Sequence, residues 1–399
     1  MKKVSLLFFS MIFLIGTDTF LISPLLPILT AAYKIPTEIS GWMVSSYALG
    51  YAISALFVGP VSDGLDRKKV MIFGLIVFSL STFLCGLSST FWTMVLFRLL
   101  AGIGATFVGS QVWAAIPQLV ARQDIVKSMG YATAGLSISQ VVGLPVGSYL
   151  AALSWRAPFF VTAGCSIILL CIISAFLPPI PAARYMEQRP SILRVYSGLF
   201  QTPRAVNYML AYFIFQTGNF EAFSFIGLWY SSSFSLHVAA VGTAMIVLGI
   251  GNAIGSLFGS SLIRKLGEAR SLFLSFCAYI ILYSILPFSH SLVAAEAVLF
   301  LIFLTGGYVF PVFMSTMQSL TATARGTVSA LANAAMYAGT TIGGIIGGLL
   351  FSRFSGFTGV SFFTVTAYIV SLLIYAGSGI FSKHHKHPGD KNNAFDKVK

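Results

Sequence analysis

Twelve apolar stretches, each at least 18 residues long, follow one another along the chain, near residues 5–30, 41–61, 70–88, 91–119, 128–152, 157–177, 206–229, 241–263, 271–288, 292–319, 327–351 and 359–381. A bilayer core about 30 Å thick is crossed by roughly 20 apolar residues in a helix. In lipid, only helices and closed barrels satisfy every backbone hydrogen bond. The pattern predicts an all-α integral membrane protein with twelve transmembrane helices. One long polar connection breaks the rhythm: residues 178–205 run PPIPAARYMEQRPSILRVYSGLFQTPRA, with prolines at both ends. It divides a six-helix bundle at 1–177 from a second at 206–382 and reads as a cytoplasmic linker. Residues 383–399, KHHKHPGDKNNAFDKVK, read as a solvated cytoplasmic tail.

The two halves repeat one another. At a constant offset of 200, Gly59 pairs with Gly259, Gln118 with Gln318, Gly143 with Gly343 and Gly147 with Gly347. Ungapped coincidences at matching helix positions predict a duplicated unit, giving two pseudo-symmetric bundles.

Composition agrees with the pattern, since charged residues are 9% of the chain against roughly 25% in a soluble domain. The net charge of +13 invites a nucleic-acid partner, but its distribution argues otherwise. With twelve spans, 20 Lys and Arg residues fall on the side of the termini and three, Lys34, Arg156 and Arg353, on the other. This asymmetry predicts cytoplasmic termini, with lipid head groups as partners. Lys2-Lys3 before an apolar run resembles a secretory signal, but the run is too long and holds Pro24 and Pro27, so a retained first helix is expected. Cys85, Cys165, Cys171 and Cys277 lie in apolar stretches without metal-ligand spacing. His384, His385 and His387 lie in the tail without a scaffold, so no metal and no cofactor is expected. The remaining histidines, His237 and His290, fall at outer loops. No nucleophile–base or metal constellation can be assembled within the spans, which argues against a membrane-embedded enzyme.

Four charged residues fall inside the spans: Asp18, Arg98, Glu221 and Glu296. A charge at the bilayer centre costs roughly 2.5–3.5 kcal/mol on insertion scales, so each needs a partner, a wet cavity or a function. At about 1.5 Å rise per residue, Asp18 and Glu221 lie roughly 13 Å and Arg98 roughly 10 Å below the outer surface, whereas Glu296 reaches toward the edge. Desolvation favours the neutral form of a carboxyl group, so a carboxyl in such a cavity can load and release a proton. The other reading of Asp18 is a fixed ion pair with Arg98 that fastens two helices. Glu221 shares a helix face with Thr217 and Phe225, a mixture suited to a polar-aromatic or cationic ligand; its other reading is a hydrogen bond to a neighbouring helix.

Several motifs carry a resemblance. The turn Gly59-Pro-Val-Ser-Asp63-Gly-Leu-Asp66-Arg67-Lys68-Lys69 resembles the loop signature of the major facilitator superfamily, with Gly64 and Asp66 where that family has arginine and glycine. Arg98-Leu-Leu-Ala-Gly102-Ile-Gly104 resembles the fourth-helix signature of its proton-coupled members. The run from Gly135 through Gln140, Gly143, Pro145 and Gly147 is similar to the antiporter signature of the drug:proton antiporter family with twelve spans. The Gly-x-Pro-x-Gly spelling and the Trp155-Arg156-x-x-Phe159 that follows look closer to its sugar- and purine-efflux relatives. The run Asn333 to Gly348 is also typical of that family.

The resemblance implies a monomeric secondary transporter of a bacterial inner membrane, exporting a small organic compound or drug by alternating access against proton entry. Proton-linked uptake of a sugar or metabolite is the alternative direction. It implies proton coupling by Asp18, Glu221 and Arg98, and a conformational latch formed by Gly59, Asp63, Arg67, Lys68 and Lys69. The substrate-cavity candidates are Tyr47, Trp113, Gln140, Thr217, Phe225, Asn333 and Tyr337.

Overall fold

The computed structural model describes residues 2–62, 65–181, 203–320 and 325–381. Among these, all regular structure is helical. The first half contains α1 (Lys2–Tyr33), α2 (Trp42–Ser62, preceded by the single turn Thr37–Ser40), α3 (Arg67–Leu87) and α4 (Phe91–Leu119). Its fifth rod, α5, is built from Ile125–Ile138, a π-helical turn at Ser139–Gly143 and Leu144–Leu153; α6 is Ala157–Phe176. The second half contains α7 (Pro203–Phe234), α8 (Val238–Leu266), α9 (Glu268–Ile285), α10 (Leu292–Gln318), α11 (Arg325–Arg353) and α12 (Thr358–Gly377). Eleven of these rods are long and apolar enough to cross a membrane. The exception is α7, whose middle turns carry Gln216, Asn219 and Glu221.

Local chemistry fixes several helix ends. Thr90 and Thr93 form a reciprocal capping box at the start of α4. Asp66 caps α3 by accepting from the Lys68 amide at 2.9 Å. Gly267, at φ 81°, turns the chain in one residue between α8 and α9. Pro145 predicts a bend in the fifth span, and the structure places a π turn at Ser139–Gly143, immediately before Leu144 and Pro145 continue the rod. Proline has no N–H and its ring crowds the carbonyl one turn earlier. A wider turn absorbs that conflict without ending the rod.

The halves meet along two seams, α2 with α11 and α5 with α8, while α1 and α7 cross between them. Large apolar side chains such as Phe57, Leu80, Trp92, Phe176, Leu257 and Phe362 face outward. A hydrophobic surface of that extent is stable in lipid rather than in water.

The duplication read from the sequence has a structural counterpart. Gly143 and Gly147 of α5 lie against Thr17 and Leu21 of α1, and Gly343 and Gly347 of α11 lie against Thr217 and Glu221 of α7. Thr17 donates to the Phe13 carbonyl at 2.8 Å and Thr217 to the Phe213 carbonyl at 2.9 Å. The same packing is thus built twice, 200 residues apart, with Glu221 where the first copy has Leu21.

Candidate functional site

Asp18, midway along α1, and Arg98, near the start of α4, are 0% and 1% exposed. Nη1 of Arg98 donates to Oδ2 of Asp18 at 2.6 Å, and Nη2 donates to the Asp18 carbonyl at 3.3 Å. Nε donates to the Met43 carbonyl of α2 at 3.3 Å. The guanidinium lies 4.3 Å from the centre of the Tyr47 ring, a cation–π contact strengthened by desolvation. The Tyr47 hydroxyl accepts from Thr19 at 3.1 Å. Oδ1 of Asp18 is buried without a partner. The charges are therefore matched, yet the carboxylate keeps one unused acceptor. α5 closes this side of the site: Gly143 and Gly147 let its backbone approach the α1 residues on either side of Asp18, and Pro145 is buried between them.

Glu221 occupies a different environment. It is fully buried inside the second half, where Oε2 accepts from Thr364 of α12 at 3.0 Å and Oε1 has no partner. Thr217 is enclosed by the backbone of α11 at Gly339 and Gly343. Phe225 is fully buried and stacks on Phe351 at 5.9 Å. Thr217 and Glu221 face helices of their own half, whereas the Phe225 ring also reaches Gly41 of the first half. Glu296 is half-buried in the second turn of α10.

Tyr51 of α2 stacks on Tyr337 of α11 with centroids 3.7 Å apart and an 18° interplanar angle. Gln140, in the π turn of α5, accepts from Asn252 of α8 at 2.8 Å. Trp113 is half-buried against the first-half core, and Asn333, one turn before Tyr337, is exposed. A small cavity beside this seam, with room for little more than a water molecule, is lined by Thr19, Ser23, Phe220, Phe223, Ser224 and Thr340 among others. Among the described residues, the hydrogen bonds joining the halves run from mid-depth toward the end away from the termini. Ser23 donates to the Phe223 carbonyl at 2.6 Å, Ser45 donates to the Thr341 carbonyl at 2.7 Å, and Tyr149 and Thr243 share a bond at 2.8 Å.

At the other end, the basic turn is held within the first half. Arg67, 9% exposed, donates to Gln111 of α4 at 2.9 Å, and Gln111 donates to Ser62 at 2.8 Å. Lys68 donates to the Ser174 carbonyl of α6 at 2.8 Å, and Lys69 is exposed. The Ile180 amide donates to Asp66 Oδ1 at 3.1 Å, and the Arg67 amide donates to the Ile180 carbonyl at 3.0 Å. Asp66, standing where the loop signature has glycine, therefore both caps α3 and holds the start of the connection between halves. Gly59 lies in the last turn of α2, and Asp63 lies outside the described residues, as does most of the 178–205 connection and the whole tail. Gln111, Thr364 and Tyr51 were not singled out from sequence. Their only signal is polarity or aromaticity inside a span, which many packing residues share.

Two bundles of six helices, enclosing a buried ion pair at mid-depth and meeting along a polar seam, define a membrane transporter rather than an enzyme. The chain belongs to the Major Facilitator Superfamily, whose family profile matches residues 8–344 and 208–397. It is 50% identical over 369 residues to the uncharacterized MFS-type transporter YceJ of Bacillus subtilis (strain 168), covering 92% of this chain and 94% of that protein. It is 24% identical over 360 residues to multidrug resistance protein 2 of the same organism, covering 88% and 89%. Identity to the quinolone resistance protein NorA of Staphylococcus aureus (strain MRSA252) is 25% over 360 residues, covering 88% and 90%. Among solved structures it resembles a D-xylose-proton symporter, with TM-score 0.78 at 14% identity, covering 93% of this chain and 96% of that one. It also resembles the nucleoside transporter NupG, with TM-score 0.76 at 16% identity, covering 95% and 100%. Likeness at such low identity speaks to the fold alone.

Proposed function

We propose that the protein exports a small organic compound across a bacterial cytoplasmic membrane in exchange for protons, as a monomer with both termini in the cytoplasm. The observation that carries this reading is the buried Asp18–Arg98 pair with its unused carboxylate oxygen. Protonating Asp18 removes its charge, while Arg98 keeps the Met43 and Asp18 carbonyls and the Tyr47 ring. The site can therefore alternate between a paired and a neutralised carboxyl without leaving the arginine bare. The antiporter-like run of α5 lies against the same stretch of α1, and two relatives named for drug resistance favour export over uptake. Glu221 is assigned a supporting role as a second proton or substrate group in the other half.

Given cytoplasmic termini, the sealed end faces outward, and the cycle proceeds by parting the seams there and closing the opposite end. The turn from Gly59 to Lys69 acts as the latch of that closure. No cofactor is required: one proton crossing about 150 mV supplies on the order of 3.5 kcal/mol, enough for a concentration ratio of a few hundred.

The test uses everted vesicles carrying a pH gradient reported by an acridine dye, with cationic drugs, sugars and nucleosides added in turn. Dissipation by one compound class, lost in Asp18→Asn, is the expected result. Full proton-driven export by that variant would remove Asp18 from the mechanism. Gradient dissipation only on outward-to-inward substrate flow would reverse the direction to uptake.

A further inference from the structure

We propose that Tyr337 is a gate residue: a ring carried by the second half that seats on Tyr51 of the first and must lift off before the α2–α11 seam beside Thr19 opens toward the end away from the termini. The inference rests on the transporter reading above.

The Tyr51–Tyr337 pair has the shortest ring separation among the described residues, 3.7 Å, and its members come from different halves. Tyr337 also packs against the first-half core cluster that contains Tyr47, Tyr51, Met11 and Ile15. It thus joins the second half to the part of the first that surrounds the ion pair. Its position along the seam matters as well. One turn toward the termini Asn333 is exposed, and one turn the other way Ser45 bonds the Thr341 carbonyl. Of these two side-chain contacts between α2 and α11, that of Tyr337 lies nearer the termini.

The seat is built from the side chains that hold the ion pair. Tyr47, one turn from Tyr51 on α2, lies under the Arg98 guanidinium and accepts from Thr19, the neighbour of Asp18. Tyr337 lies beside both Thr19 and Tyr47. Any shift of Arg98 that moves Tyr47 changes the surface on which Tyr337 rests. On the far side, Gly109 of α4 closes against the Tyr51 hydroxyl, which a Cβ there would meet at 2.8 Å. Tyr51 is thereby backed by its own half, which makes Tyr337 the ring that departs when the halves part.

The experiment reads closure of the distal seam without needing a substrate. In the full chain, with Cys85, Cys165, Cys171 and Cys277 replaced by alanine, a Ser45→Cys and Thr341→Cys pair is joined by a short thiol cross-linker in vesicles. Adding Tyr337→Ala or Tyr51→Ala is expected to slow cross-linking about 3- to 10-fold, the population shift that follows from losing a stacked pair. Tyr337→Phe, which keeps the ring, is expected to match the parent. Unchanged cross-linking in both alanine variants, or a Tyr337→Phe as slow as Tyr337→Ala, overturns the proposal. Should Tyr337→Ala fail to reach the membrane, Tyr337→Leu keeps the bulk without the ring face and is read the same way. Compound-driven proton movement is measured on the parent in the same vesicles. Its absence alongside the expected cross-linking response removes the proton-antiport reading, whereas its presence without that response removes the gate.

Discussion

Arg98 is held by a carboxylate, two main-chain carbonyls and an aromatic face, and this determines which substitutions at Asp18 the fold tolerates. Asp18→Ala removes the opposite charge and the side-chain acceptor together. Stranding a buried charge in this way costs about 3–5 kcal/mol. We expect a markedly lower melting temperature in detergent, with Asp18→Asn much closer to the parent because an amide oxygen still accepts from Arg98. Equal melting of the two variants would mean that the carbonyls and Tyr47 alone suffice for Arg98. In the second half, Thr364→Val deprives Glu221 of its hydroxyl donor and should destabilise by about 1–3 kcal/mol, read as a fall in melting temperature that Thr364→Ser does not reproduce. Asp18, Arg98 and Glu221 were legible in the sequence because a charge inside an apolar stretch has few innocent explanations. Tyr51, Gln111 and Thr364 were not, because neutral polar and aromatic residues are common in spans and only packing reveals which of them meet a partner.

Among the elements, α5 departs furthest from what its sequence predicts. Its glycines and Pro145 stood out as a signature, but nothing in the residue pattern specifies a π turn, which depends on how the rod settles against α1 and α8. The turn gives Gln140 a bond to Asn252 across the seam. Pro145→Ala should allow the rod to close with ordinary helical bonds, rotating Gln140 away from α8. We expect transport to fall severalfold with far-ultraviolet circular dichroism unchanged, and Asn252→Ala to add little on top of it. Full additivity of the two changes would show that Gln140 and Asn252 act independently. The span positions were otherwise readable to within a few residues, since apolar length dominates that judgement. The seventh span, read as 206–229, falls within α7, although its buried polar residues dilute the apolar signal.

For the molecule as a whole, the bonds that join the halves among the described residues lie from mid-depth to one end, which is the asymmetry alternating access requires. Covalent closure of that end should stop the cycle. A Tyr149→Cys and Thr243→Cys pair, whose parent side chains are bonded at 2.8 Å, should lose nearly all flux on oxidation and regain it on reduction. Flux that persists through complete cross-linking would mean that the α5–α8 seam does not part. The duplication was legible as matched glycines 200 residues apart, but not what those glycines touch.

The polarity of α7 has a consequence for how the protein is made. Thr217 and Glu221 are covered by α11 and α12, and those helices are synthesised about a hundred residues later. A nascent chain ending soon after α7 offers the translocon a segment with little preference for lipid. The second bundle therefore has to be assembled as a group, its first helix waiting at the insertion machinery until its last helices arrive.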